Sequence, residues 1–175
     1  MTRIAIIGIG NVLTGDDAVG PTVVRLLEAQ WELPPDVQVV DAGTPGLDLT
    51  AYMAGLEALV IVDAVRSKKA APGDVLLYDK QELVERPPVM SISPHEPGVR
   101  EALLNAEFIG VSPRVVKLVG VVPAQVETGI ALSGVVREAL PRAVEAVVAE
   151  LRALAVEVRP RTPPREADLW WEKRP

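Results

Sequence analysis

The chain alternates short apolar runs with stretches whose apolar residues recur every three or four positions. Ile4-Ala5-Ile6-Ile7, within residues 3–9, reads as a buried first strand. Residues 17–30 carry Val19, Val23, Val24, Leu26 and Leu27 at helical spacing, with Pro21 suited to a first turn. Residues 37–40 form a second strand, residues 47–56 a short helix, and Ala58-Leu59-Val60-Ile61-Val62 a third strand, the most apolar run in the chain. A further strand at residues 75–78 follows after a connection too short for a parallel crossover, so it is expected antiparallel and at an edge. Residues 81–86 are polar and give no clear signal, and residues 91–98 read as loop. A helix is expected over residues 99–108, a core strand over 114–122 and a helix over 134–154, with Pro141 kinking or dividing the last. The pattern predicts a three-layer, doubly wound α/β domain. Its twisted sheet has about five strands and is mostly parallel, with one antiparallel strand and helices on both faces.

The domain spans residues 1–158. Residues 159–175 are rich in proline and charge, lack a core of their own, and either pack back through Trp170 and Trp171 or form a mobile arm. Composition narrows the function. A net charge of -6 argues against nucleic-acid and anionic-membrane partners. The chain has no cysteine, which removes disulfides, thiolate metal sites and a thiol nucleophile. No apolar run approaches a membrane span and no signal-peptide pattern opens the chain, so a soluble cytoplasmic protein is the expectation.

The candidate chemistry sits where strands end. Gly8-Ile9-Gly10-Asn11 leads to Asp16-Asp17 at a strand-to-helix turn. A dinucleotide fingerprint would need a third glycine where Leu13 stands, and two carboxylates would repel a pyrophosphate there. Asp41 closes the second strand and Asp63 the third, so parallel strands bring Asp17, Asp41 and Asp63 to one edge. His95, the only histidine, lies in a loop able to reach it. Two or three carboxylates and an imidazole suit a divalent metal. Each residue also has a plainer role. Asp16 reads first as a helix cap, Asp17 as a first-turn carboxylate favoured by the helix dipole, and Asp41 as a bond to its own turn's backbone. His95 alone would be a surface-loop residue. Asp63 is the hardest to explain structurally, because an unpaired charge closing an apolar strand is costly. With no cysteine, nothing supports a cysteine triad.

Taken together, Gly8-x-Gly10-Asn11-x-Leu13-x-x-Asp16-Asp17-x-x-Gly20, Asp41-Ala42-Gly43-Thr44-x-Gly46, Val62-Asp63-Ala64, Ser93-Pro94-His95 and Val119-Gly120-Val121-x-Pro123 resemble the hydrogenase maturation endopeptidases in order and spacing, over about residues 3–158. These enzymes trim the large-subunit precursor of nickel-iron hydrogenases. The resemblance implies a metal-binding triad of Asp17, Asp63 and His95, with Asp17 and Asp63 as the catalytic carboxylates. It also implies that the loop with Asp41, Gly43 and Thr44 shapes the site or holds substrate. Family members often have Glu at the position of Asp17, a change of one methylene that keeps the ligand type. The implied cofactor is nickel supplied by the precursor, with none held permanently. The implied partner is that precursor, and a monomer is the family expectation. Nickel either assists hydrolysis or is only recognised while a carboxylate acts as an aspartic-type base. Two other functions compete: a nickel-precursor checkpoint that binds without cutting, and a Rossmann-like nucleotide-binding protein.

Overall fold

The computed structural model describes residues 3–89 and 98–173. The elements in chain order are β1 (Ile4–Ile9), α1 (Val19–Gln30), β2 (Trp31–Glu32), β3 (Val37–Gly43), α2 (Leu49–Met53) and β4 (Ala58–Ala64). They are followed by β5 (Val75–Asp79), α3 (Lys80–Glu85), α4 (Val99–Phe108), β6 (Val115–Val121), α5 (Gly134–Ala153) and β7 (Arg159–Pro160). Five strands form one sheet in the order β3-β1-β4-β6-β5. The β1–β3, β1–β4 and β4–β6 pairs are parallel, whereas β5 runs antiparallel to β6 at the edge.

Alternation along the inner strands divides the core in two. Ile4 and Ile6 of β1, with Val60 and Val62 of β4, face α1 and α5. Ala5 and Ile7, with Leu59 and Ile61, face α2, α3 and α4. All seven residues of β4 are buried, as a parallel strand covered on both faces requires. The carboxyl ends of β1, β3 and β4 therefore lie side by side at one edge of the sheet.

Three segments differ from the sequence expectations or complete them. The stretch without a clear signal, residues 81–86, falls largely in helix α3 (Lys80–Glu85), started by a capping box in which Asp79 accepts from the Glu82 amide and Glu82 from the Asp79 amide. Pro141 does not divide α5, which is a single helix of 20 residues. Its ring lies on the exposed side, so the carbonyl it leaves without an amide donor faces solvent. Pro141→Ala restores that donor without entering the core. It should raise stability by about 1–3 kcal/mol, read as a higher midpoint in denaturant at unchanged m.

The C-terminal segment packs back on the domain. β7 pairs antiparallel with β2, and the Arg161 and Arg165 amides donate to the Gln30 and Ala29 carbonyls at 2.7 and 2.8 Å. Trp171 is buried, while Trp170 remains exposed. An Arg137–Glu172 ion pair ties the same stretch to α5.

Candidate functional site

Glycine decides how closely α1 approaches the sheet. A Cβ at Gly20 would overlap the carbonyl oxygens of both Ile9 and Val62, and one at Gly10 (φ 148°) the carbonyl of Asp17. With hydrogen in those places, the 3-10 turn Gly15–Ala18 and the start of α1 seat directly on the ends of β1 and β4. Gly20 thus supplies the close helix–strand approach that a dinucleotide fingerprint assigns to a third glycine. That glycine lies seven residues beyond Leu13, the position where the fingerprint would seek it.

This seating brings Asp17 and Asp63 together. Asp17 Oδ2 accepts from the Asn11 amide at 2.7 Å, and Asp63 Oδ1 from the Ala64 amide at 2.7 Å. Burial pushes the Asp63 carboxyl well above its usual range, and the nearby Asp17 charge pushes it further, against the lowering effect of the Ala64 amide. Asp17 and Asp63 keep 8 % and 5 % of their surface exposed, whereas Asp16 has none. All three are buried, Asp16 completely.

The structure gives Asp16 a different role from the helix cap expected of it. Neither the 3-10 turn nor α1 has a side-chain cap. Instead the Ala124 and Gln125 amides donate to Asp16 Oδ2 at 2.8 and 2.9 Å. The Ser133 amide donates to Oδ1 at 2.6 Å and its hydroxyl to Oδ2 at 2.8 Å. Ser133 is also the N-cap of α5. The partners stand 108 to 117 residues away in the chain, so helix-capping logic had no view of them.

Asp41 does bond its turn: its Oδ1 accepts from the Gly43 amide at 3.3 Å, while Oδ2 pairs with Arg25 at 3.6 Å. The Gly43 carbonyl accepts from the Gly10 amide at 2.8 Å, which places the Asp41–Thr44 loop beside the glycine turn. Thr44 is exposed. His95 lies outside the described residues. Among the described residues, no group of three or more His, Cys, Asp or Glu side chains could hold a metal ion, so any third ligand must come from elsewhere. Two contributors were missed in the sequence. Asn11 supplies the amide to Asp17, and Ser133 anchors Asp16. Asn11 stood within a quoted motif, and Ser133 stands just before the long helix, where an N-cap signal was legible.

Fold and site define a doubly wound α/β protein with a coupled carboxylate pair at the carboxyl edge of its sheet. A family model described as HycI, hydrogenase maturation protease, matches residues 21–150. The chain is 38% identical to the hydrogenase 2 maturation protease of Escherichia coli (strain K12), over 91% of this chain and 96% of that protein. It is 32% identical to the hydrogenase expression/formation protein HupD of Rhizobium leguminosarum bv. viciae, over 91% and 79%. Among solved structures, the hydrogenase maturating endopeptidase HybD from E. coli superposes with a TM-score of 0.83 at 38% identity, covering 93% of this chain and 99% of that one. The chain belongs to the hydrogenase maturation protease family. No helix among the described residues is long and apolar enough to cross a membrane.

Proposed function

We propose that this protein is an endopeptidase that removes the C-terminal extension from the nickel-loaded large-subunit precursor of a nickel-iron hydrogenase. The observation that carries the reading is the coupled pair Asp17 and Asp63 at the sheet edge, in a chain of this family. Two carboxylates held together repel each other, and the repulsion is relieved by a proton on Asp63 or by a divalent cation between them. Nickel carried by the precursor is such a cation, and it is substrate here rather than a resident cofactor. Asp17, Asp63 and the His95 imidazole form its docking triad. The loop with Asp41, Gly43 and Thr44 positions the peptide beside it. The protein acts as a monomer in the cytoplasm.

Two hydrolytic routes fit the same residues. In one, nickel polarises the scissile carbonyl or activates water. In the other it serves for recognition, while a carboxylate, Asp17 or Asp63, acts as general base in an aspartic-type mechanism. His95→Ala tests the triad. The variant should keep the wild-type circular dichroism spectrum and leave the nickel-loaded precursor at its full intact mass. Normal shortening by a folded His95→Ala would remove the imidazole from the site. A precursor that wild-type protein captures but never shortens would instead establish a checkpoint that binds without cutting.

A further inference from the structure

Asp16 is a fully buried carboxylate that the proposed chemistry does not use. Its four donors come from two places, the 124–125 loop after β6 and the residue that caps α5. They occupy both of its oxygens. Backbone bonds extend the same joint: the Asp16 amide donates to the Gln125 carbonyl at 3.1 Å and the Gly15 amide to the Gly129 carbonyl at 2.8 Å. The Gly129 amide in turn donates to the Leu13 carbonyl at 2.9 Å. On the other side of the turn, the Asp17 carbonyl lies against the Cα of Gly10. The backbone of Asp17 is thus held between the glycine turn and the 124–133 segment.

Four hydrogen-bond donors converge on Asp16, and an ionised carboxylate is the side chain that accepts them all. Its charge also meets the positive end of the 20-residue helix α5, where an anion is stabilised. An amide in its place would turn an NH2 group toward N–H and O–H donors. The bonds that would weaken are those fixing the residue next to Asp17.

We propose that Asp16 is a positioning residue: by clamping the 124–133 segment and the start of α5 to the acidic turn, it holds Asp17 in register with Asp63. The consequence for turnover rests on the functional reading above, whereas the consequence for Asp17 itself does not. The experiment compares Asp16→Asn with Leu151→Ala, a core variant at the far end of α5, chosen as a control for lost stability. Amide exchange of full-length protein is followed well below both melting temperatures, without metal. The Asn11 amide, which reports its bond to Asp17, should exchange roughly tenfold faster in Asp16→Asn, relative to the amides of β4. In Leu151→Ala the ratio should stay as in wild type. An unchanged ratio in Asp16→Asn, or an equal rise in both variants, would overturn the proposal. With nickel-loaded precursor, Asp16→Asn should lower kcat roughly tenfold or more at a KM within about twofold of wild type. If the exchange ratio rises but wild-type protein cleaves nothing, the functional reading fails and the positioning role stands. A kcat per folded molecule equal to wild type would reduce Asp16 to a purely structural part.

Discussion

Asp63→Asn is expected to stop shortening of the nickel-loaded precursor and to leave the metal-free protein at least as stable as wild type at neutral pH. Both halves follow from one placement. Asp63 is the penultimate residue of a strand buried along its whole length, and Asp17 adds a like charge beside it. Its carboxyl titrates above the unfolded value of 3.8, so folding favours the protonated form. The stabilising contribution of that form is complete below the unfolded value and is lost as pH rises through the raised, folded value. The contribution of Asp63 to wild-type stability should therefore decline from roughly pH 4 upward. Asparagine keeps an oxygen for the Ala64 amide and never ionises, so the variant lacks that decline. Each 1 kcal/mol of relief raises the melting temperature by about 2–4 °C for a chain of this size. Activity moves the opposite way, because a neutral amide neither shares a cation with Asp17 nor acts as a general base. A loss of about 1,000-fold is expected from intact-mass kinetics. Thermal unfolding in chelator across a pH series checks the other half. A variant less stable than wild type at every pH would contradict the account of Asp63.

Gly20→Ala should be a severely damaging single-methyl addition. The new Cβ meets the Ile9 and Val62 carbonyls, which belong to adjacent strands locked in register, Gly8 opposite Val62. No flexible side chain is available to move aside, so α1 must lift from the sheet. A cost of about 3 kcal/mol is expected, at the upper end of overpacking effects. The melting temperature should fall by roughly 6–12 °C. Because α1 follows directly on the turn that carries Asp17, precursor cleavage should fall even at temperatures where the variant is folded. Gly134→Ala, at the exposed start of α5 with no atom near the added Cβ, serves as the comparison and should cost little.

The parts of this structure that were legible in the sequence are those decided within a few neighbouring residues. Strand β4 announces itself through Leu59-Val60-Ile61-Val62, and β5 through a connection too short to cross over. Helix α4 has the bounds expected from its periodicity. Helix α3 was passed over because only Leu83 of its six residues is buried, so it has no apolar stripe, although Asp79 and Glu82 spelled a capping box. Of the two outcomes expected at Pro141, a kink or a division, division does not occur, and its ring occupies the exposed face. Positions that depend on distant segments were beyond local reading. Asp16 binds Ser133, Arg25 binds Asp41, and the 159–165 stretch returns to the end of α1. The gathering of Asp17 and Asp63 at one edge was legible because parallel topology alone implies it. Their coupling depends on Gly20, whose importance appears only once the helix is seated on the strands.

The central claim is that this carboxylate pair licenses cleavage by meeting nickel on the precursor. The most direct test incubates wild-type protein with nickel-loaded and nickel-free forms of one large-subunit precursor and follows intact mass. Shortening of the nickel-loaded form alone, by the mass of its C-terminal extension, is the predicted result. Equal shortening of both forms, or of neither, would contradict it.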